Sequence, residues 1–315
     1  MGGLILLIIG LVLVIRGAGW LVDAATALAR RAGISDLAVG LTVVAFGTSL
    51  PELAVNIFAS VDGNAAITIG NITGSNIANI LLILGLSALI FPLEVGKGTI
   101  WKEIPFSLLA AAILWLMCAE AAWLSREPGV LSRSEGLVLL CFFVIFLYYT
   151  AGMPPRLTNP SDPNPALATK RIFIKLGLGL GLLIGGGKLT VSGAVEMAHW
   201  AGLSEGFIAA SLVAVGTSLP ELATSAAAAW KKNPDIAVGN VVGSNLFNIF
   251  FILGLSAVIR PIAVPPELML SIWMTIGASL ILFVCMFTGQ PRRIDRWEGA
   301  LMLALYGMYL WMQSR

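Results

Sequence analysis

Charged side chains are scarce in this chain: Asp, Glu, Lys and Arg make up 11% of its 315 residues, against 58% hydrophobic types. With a mean hydropathy of +0.92, such a chain cannot dress a surface for water, which excludes an ordinary soluble globular protein. The net charge of +2 implies no nucleic-acid partner. Histidine occurs once, at His199 near the end of an apolar segment. It reads as an interface residue, and a single imidazole argues against a site for a soft transition metal. The three cysteines, Cys118, Cys141 and Cys285, stand in or beside apolar segments with neither metal nor redox spacing, so they read as inert packing residues. The opening "MGGLILLIIGLVLVI" resembles the apolar core of a signal peptide but lacks a basic start, and it is read as a first membrane span.

What the chain has instead is long apolar runs, near 4–26, 36–59, 66–91, 104–124, 134–152, 172–196, 206–230, 235–259, 267–288 and 297–313. Runs of about 18 residues or more suit membrane helices, since barrel strands are about half that length. The expected fold is an all-α membrane protein of ten transmembrane helices, multi-pass in the cell membrane. With the N-terminus outside, inner loops hold thirteen of the nineteen basic residues and outer loops four, Arg126, Arg133, Arg260 and Arg315. The positive-inside rule therefore favours both termini on the outer side.

The chain is also written twice. "AFGTSLPELA" at 45–54 returns as "AVGTSLPELA" at 214–223, nine of ten positions identical at an offset of 169 residues. At the same offset "GNITGSNIANI" (70–80) returns as "GNVVGSNLFNI" (239–249), and "LLILGLSALI" (81–90) as "FFILGLSAVI" (250–259). Five spans per copy is an odd number, so the second copy enters the membrane from the opposite side: two inverted five-helix repeats, 1–150 and 172–315. They are joined by an inner linker, 151–171, that carries five prolines. Inverted repeats with a midplane site between interrupted helices recur in secondary transporters.

The repeated segments carry oxygen chemistry. Pro51 cannot donate to the carbonyl one turn earlier and its ring pushes that carbonyl aside, so the helix should bend or break there and free backbone oxygens around 45–48; Pro220 should do the same in the second copy. Thr48, Ser49 and Glu52 share a helix face, and Ser75 and Asn79 are four apart on the next span. The second copy supplies Thr217, Ser218, Glu221, Ser244 and Asn248. A cluster of hydroxyl, amide and carbonyl oxygens around two carboxylates suits a hard cation such as Ca²⁺. Two ionised carboxylates in a dry site are costly and repel, so a divalent cation, sodium ions or protons must neutralise them, and competition for one oxygen set is a physical basis for exchange. The bland alternative is that Glu52 and Glu221 pair with Arg16 and Lys188, the two basic residues inside spans. The matched glycines Gly10 with Gly179 and Gly17 with Gly186 read either as plain packing or as a smooth face on which spans one and six slide past the site. An intramembrane aspartyl or metalloprotease would need paired aspartates or a histidine-rich ligand set, and the sequence has neither. A channel suits duplicated broken helices less well than an exchanger does.

The segments "AFGTSLPEL…GNITGSNIANI" and "AVGTSLPEL…GNVVGSNLFNI" resemble the two alpha repeats of the cation/calcium antiporter superfamily, in its prokaryotic sodium/calcium exchanger branch. The resemblance implies a Na⁺/Ca²⁺ antiporter with no prosthetic cofactor, whose partners are calcium and sodium ions and the lipid bilayer, with no required protein partner. It implies that Glu52 and Glu221 hold Ca²⁺, that Thr48, Ser49, Ser75, Thr217, Ser218 and Ser244 serve the Ca²⁺ and Na⁺ sites, and that Ala45 and Ala214 supply backbone carbonyls to flanking Na⁺ sites. Asn79 matches the central polar position of the third span. Asn248 stands where other members, including potassium-dependent exchangers, carry an aspartate, which argues against potassium co-transport. Proton/calcium relatives usually place a glutamate where this chain has Gly74 and Gly243, so sodium is favoured as driving ion and proton-driven exchange is the alternative.

Overall fold

The computed structural model describes residues 2–124, 129–153, 169–200, 214–264 and 268–313. Residues 154–168 of the expected linker and the first turns of the seventh expected span (206–213) lie outside the described residues, as does the side chain of His199. The chain is mostly helical: α1 (Gly2–Ala32), α2 (Asp36–Thr48), α3 (Leu50–Asp62), α4 (Ala65–Ile90), α5 (Glu103–Leu124), α6 (Arg133–Ala151), α7 (Thr169–Trp200), α8 (Ala214–Thr217), α9 (Leu219–Trp230), α10 (Pro234–Ile259), α11 (Met269–Cys285) and α12 (Arg296–Gln313). Among the described residues six helices are long and apolar enough to cross a membrane, or seven with α2 and α3 counted as one broken span. In α4 and α10 about four-fifths of the most apolar window (78%) is buried, against 33% in α1 and α7, so α4 and α10 form the core and α1 and α7 lie at the periphery.

Local chemistry explains the element ends. Gly63 (φ 76°) and Lys232 (φ 56°) sit at matched places in the left-handed region that closes α3 and α9, and the next residue caps the helix that follows. The Asn64 carboxamide oxygen accepts from Ile67 N at 3.1 Å and that of Asn233 from Ile236 N at 3.2 Å, satisfying amides that a helix start leaves free. Helix α6 begins with a capping box between Ser132 and Glu135. Glu298 supplies one half of such a box for α12, accepting from Asp295 N at 2.7 Å. Two short antiparallel ladders cross between the copies: β1 (Leu93–Glu94) pairs with β4 (Arg293–Ile294), and β2 (Gly129–Leu131) with β3 (Ile262–Val264).

Glycines set the helix crossings. A Cβ on Gly136 would lie 2.7 Å from Gly254 O, and one on Gly299 2.7 Å from Gly85 O, so α6 crosses α10, and α12 crosses α4, backbone against backbone. Between α1 and α7 the contact repeats every seven residues: Gly3 faces Gly193, Gly10 faces Gly186 and Gly17 faces Gly179. Of the two readings of the matched glycines, the contacts bear out packing: they zip α1 and α7 to each other, because helices associate in lipid by close packing of small residues.

Candidate functional site

The α2/α3 junction has the expected break. Ser49 (φ −84°, ψ 8°) leaves the helix, Pro51 opens the next one, and the two segments meet at 50°. Ser218 (φ −87°, ψ 6°) and Pro220 repeat the corner between α8 and α9. Of the carbonyls before the first break, that of Ala45 is not free, however. Thr48 Oγ1 donates toward Val44 O at 3.1 Å and Ala45 O at 3.3 Å, and Ala45 O also accepts from Ser49 N at 3.0 Å. The loosened backbone is served by the side chain at the break, as interrupted membrane helices require.

The two breaks meet at the carboxylates. Glu52 and Glu221 are each 1% exposed, and each is held by a serine of the other copy. Ser49 Oγ donates to Glu221 Oε1 at 2.8 Å, and Ser218 Oγ to Glu52 Oε1 at 3.2 Å. Ser49 also bonds Ser244 (3.0 Å) and Ser218 bonds Ser75 (3.3 Å). Six of the residues singled out in the sequence therefore form one buried network, reciprocal between the copies. The second oxygens, Glu52 Oε2 and Glu221 Oε2, are buried and have no hydrogen-bond partner among the described residues. Arg16 and Lys188 are both exposed, and the carboxylate partners are hydroxyls, so the ion-pair alternative does not hold. A buried carboxylate with a bare oxygen is costly unless a cation or proton meets it.

The other expected residues lie around this pair. Thr48 also reaches Asn240 Oδ1 at 3.1 Å. Thr217 lines a cavity of about 300 Å³ with Pro51, Gly216, Pro220 and Lys188, between α7 and both breaks. A second cavity, about 210 Å³, is lined by Asn71, Ser75, Ser271, Tyr309 and Gln313 and so reaches the network at Ser75. Ala45 and Ala214 each start the last helical turn before a break.

Asn79 and Asn248 do not bond the carboxylates. Asn79 Nδ2 donates to Asn245 Oδ1 at 3.0 Å, and Asn248 Nδ2 to Asn76 Oδ1 at 2.9 Å. The sequence reading passed over Asn76 and Asn245, as it did Asn240, whose Nδ2 donates to Ser225 Oγ at 2.9 Å and Glu221 O at 3.3 Å. The signal was available: "GSN" and "GN" return identically in both copies, and a carboxamide that survives duplication inside a membrane core needs a reason.

A multi-pass helical protein with two buried carboxylates in a shell of hydroxyls between broken helices is a membrane cation transporter, not an enzyme. The comparisons narrow the class. The family model described as "Sodium/calcium exchanger protein" matches residues 2–152 and 172–315, and the chain belongs to that family, within the cation/calcium antiporter superfamily, whose activity is cation/Ca²⁺ antiport. It is 34% identical to the sodium/calcium exchanger MaX1 of Methanosarcina acetivorans, over 97% of each chain, and 38% identical to the inner membrane protein YrbG of Escherichia coli, over 83% of this chain and 81% of that one. Among solved structures it resembles the sodium-calcium exchanger NCX_Mj with a TM-score of 0.83 at 32% identity, over 98% of each chain.

Proposed function

We propose that the protein exchanges Na⁺ for Ca²⁺ by alternating access, the two ions competing for one set of oxygens centred on Glu52 and Glu221. The observation that carries the reading is the reciprocal pair of buried carboxylates, each with one oxygen bonded across the copies and the other bare. One Ca²⁺ matches their two charges, and hard cations take six to eight oxygens. Ser49, Ser75, Ser218 and Ser244, with Thr48 and Thr217, supply hydroxyls, Asn79 and Asn248 supply carboxamide oxygens, and Ala45 and Ala214 supply backbone oxygens for flanking Na⁺. At Ala45 an ion would displace the longer Thr48 contact, 3.3 Å.

Two observations support sodium over protons. The similar proteins MaX1 and NCX_Mj carry sodium/calcium exchange in their names. In addition, glycine stands at 74 and 243, where proton-driven relatives carry a glutamate; a Cβ at Gly243 would lie 2.5 Å from Leu41 O and 2.8 Å from Ala45 Cβ, which leaves no room for one there, whereas at Gly74 the nearest atom is the Tyr309 hydroxyl at 4.0 Å.

The architecture that goes with this function is ten spans in two inverted five-helix repeats, 1–150 and 172–315, joined by an inner linker, 151–171, with both termini outside. The crosswise ladders β1 with β4 and β2 with β3 support it. The cavity at Ser75 then gives the site an approach from the outer half of the membrane.

Liposome reconstitution tests the function: calcium uptake is followed under an outward sodium gradient and, separately, an outward proton gradient. Uptake with sodium is expected, and uptake driven by protons alone would sink the sodium reading. Glu52→Gln and Glu221→Gln should each abolish uptake. Wild-type exchange in either would remove the carboxylates from the centre of the mechanism.

A further inference from the structure

At the crossing of α4 and α10 four asparagines form a closed, reciprocal set. Asn79 Nδ2 donates to Asn245 Oδ1 at 3.0 Å, and the same contact, carried over by the repeat, runs from Asn248 Nδ2 to Asn76 Oδ1 at 2.9 Å. Asn76 Nδ2 is in turn spent on the backbone, donating to Asn245 O at 3.3 Å. All four residues are at most 2% exposed. The carboxamide oxygens of Asn79 and Asn248 are both buried and have no partner among the described residues. Each stands one helical turn beyond a serine of the carboxylate network, Ser75 or Ser244.

A carboxamide can present either end to a site, and only its oxygen helps a cation. What decides the end is where the NH₂ group is bonded. We infer that Asn76 and Asn245 are positioning residues of the cation site: each fixes the carboxamide of the other copy so that Asn248 and Asn79 turn oxygen, not NH₂, toward the ion. The inference rests on the exchanger reading of this site and adds residues that do not touch the ion. Plain interhelical adhesion, the usual role of asparagine in membrane helices, would be served equally by either carboxamide orientation. It gives no reason for both copies to leave the same atom bare.

Orienting partners of metal ligands typically carry about 10- to 100-fold in metal affinity. Equilibrium binding of ⁴⁵Ca²⁺ to the purified full chain tests this, alongside the ion-free melting midpoint. Asn245→Leu should weaken Ca²⁺ binding about 10- to 100-fold, whereas Asn245→Asp, which keeps an acceptor for Asn79 Nδ2, should restore most of that loss. The same contrast should hold for Asn76→Leu and Asn76→Asp acting through Asn248. Because Asn245 acts through the Asn79 oxygen, Asn245→Leu should cost no further affinity in an Asn79→Ala background. Unchanged affinity in the Leu variants, an equal loss with Asp, or full additivity with Asn79→Ala would each overturn the assignment. If a Leu variant does not fold, Asn245→Ala makes the same cut with a smaller side chain. An unsubstituted protein without saturable Ca²⁺ binding would remove the exchanger reading itself, a result distinct from wild-type binding that the variants leave unmoved.

Discussion

The run Gly185, Gly186, Gly187 in α7 allows a test in which neighbouring residues should respond with opposite sign. A Cβ on Gly186 would lie 2.8 Å from Leu13 Cβ, 2.9 Å from Gly10 O and 2.9 Å from Val14 N. Carbon pairs rest at about 3.5 to 4.0 Å, so α1 and α7 would have to part by roughly 0.7 Å, and two of the three obstacles are backbone that cannot rotate aside. Overpacking of this kind costs about 1–3 kcal/mol, against at most about 1 kcal/mol returned by replacing glycine with alanine in a helix. Gly186→Ala should therefore lose up to about 2 kcal/mol net. At Gly185 and Gly187 an added Cβ meets nothing within 4 Å, which leaves only the helix-propensity gain of up to about 1 kcal/mol. Melting midpoints of the three single variants in detergent, followed by size-exclusion fluorescence, read the contrast directly. If Gly186→Ala melts with Gly185→Ala and Gly187→Ala, the glycine zip between α1 and α7 is refuted.

Removing the matched caps with Asn64→Ala and Asn233→Ala should each cost about 1 kcal/mol. The second should cost more, because Asn233 Nδ2 also donates to Asp36 Oδ2 at 3.0 Å and Thr26 Oγ1 at 3.3 Å; equal melting losses would contradict this. Asp295, in the turn before α12, is held below the usual carboxylate range by the Gln290 backbone N–H and by the Arg293 guanidinium. A depressed folded value means its contribution is present at neutral pH and is lost as pH falls through that value, so the melting difference between wild type and Asp295→Asn should narrow below about pH 3.9; a difference that widens there would reverse the sign. Asn56→Ser should stabilise by about 1 kcal/mol, since it removes the unpartnered Asn56 Oδ1 and frees Glu52 O for Asn71 Nδ2, which is itself unpartnered. A lower melting midpoint would count against that account.

Much of the site was legible because its chemistry is incompatible with its surroundings. A glutamate beside a proline inside an apolar run stands out, and its return at a fixed offset ties Glu52 to Glu221 before any coordinate is known. The cross-copy direction of the hydrogen bonds was not legible: Ser49 shares a helix face with Glu52, but the corner at Ser49 turns its hydroxyl to Glu221. Repeat matching likewise paired Gly10 with Gly179, which are symmetry mates, whereas contact joins Gly10 to Gly186. An offset identifies equivalent positions, and equivalent positions across a two-fold axis need not touch. The π-helical stretches Gly40–Val44, Ala78–Leu84 and Phe247–Leu253 left no mark in the apolar pattern, since a one-residue bulge within a buried helix changes no residue type.

Near-identical copies nonetheless give unlike walls, and the cause can be followed from one position. The second copy has Ser225 where the first has Asn56. Ser225 accepts from Asn240 Nδ2 at 2.9 Å, and Asn240 then reaches Glu221 O and takes the Thr48 hydroxyl. Asn56 instead donates its own NH₂ to Glu52 O at 3.0 Å, which leaves Asn71 Nδ2 bare beside the cavity of about 210 Å³. The glycines follow the same division. A Cβ at Gly239 would lie 2.9 Å from Leu37 O, so the backbone of α2 seals that wall, whereas at the matched Gly70 it would meet no described atom within 4 Å. Asn71 of the first wall thus borders the cavity of about 210 Å³ with its NH₂ bare among the described residues, while the matched Asn240 is spent in bonds to Ser225 and Glu221 O. A site with two equivalent walls would be open to both sides of the membrane or to neither, and ions would leak or never enter. The alternating access proposed above needs walls that differ at any one moment; the two carboxylates are bonded alike, but the backbone carbonyls beside them are not, Glu52 O taking Asn56 Nδ2 and Glu221 O taking Asn240 Nδ2.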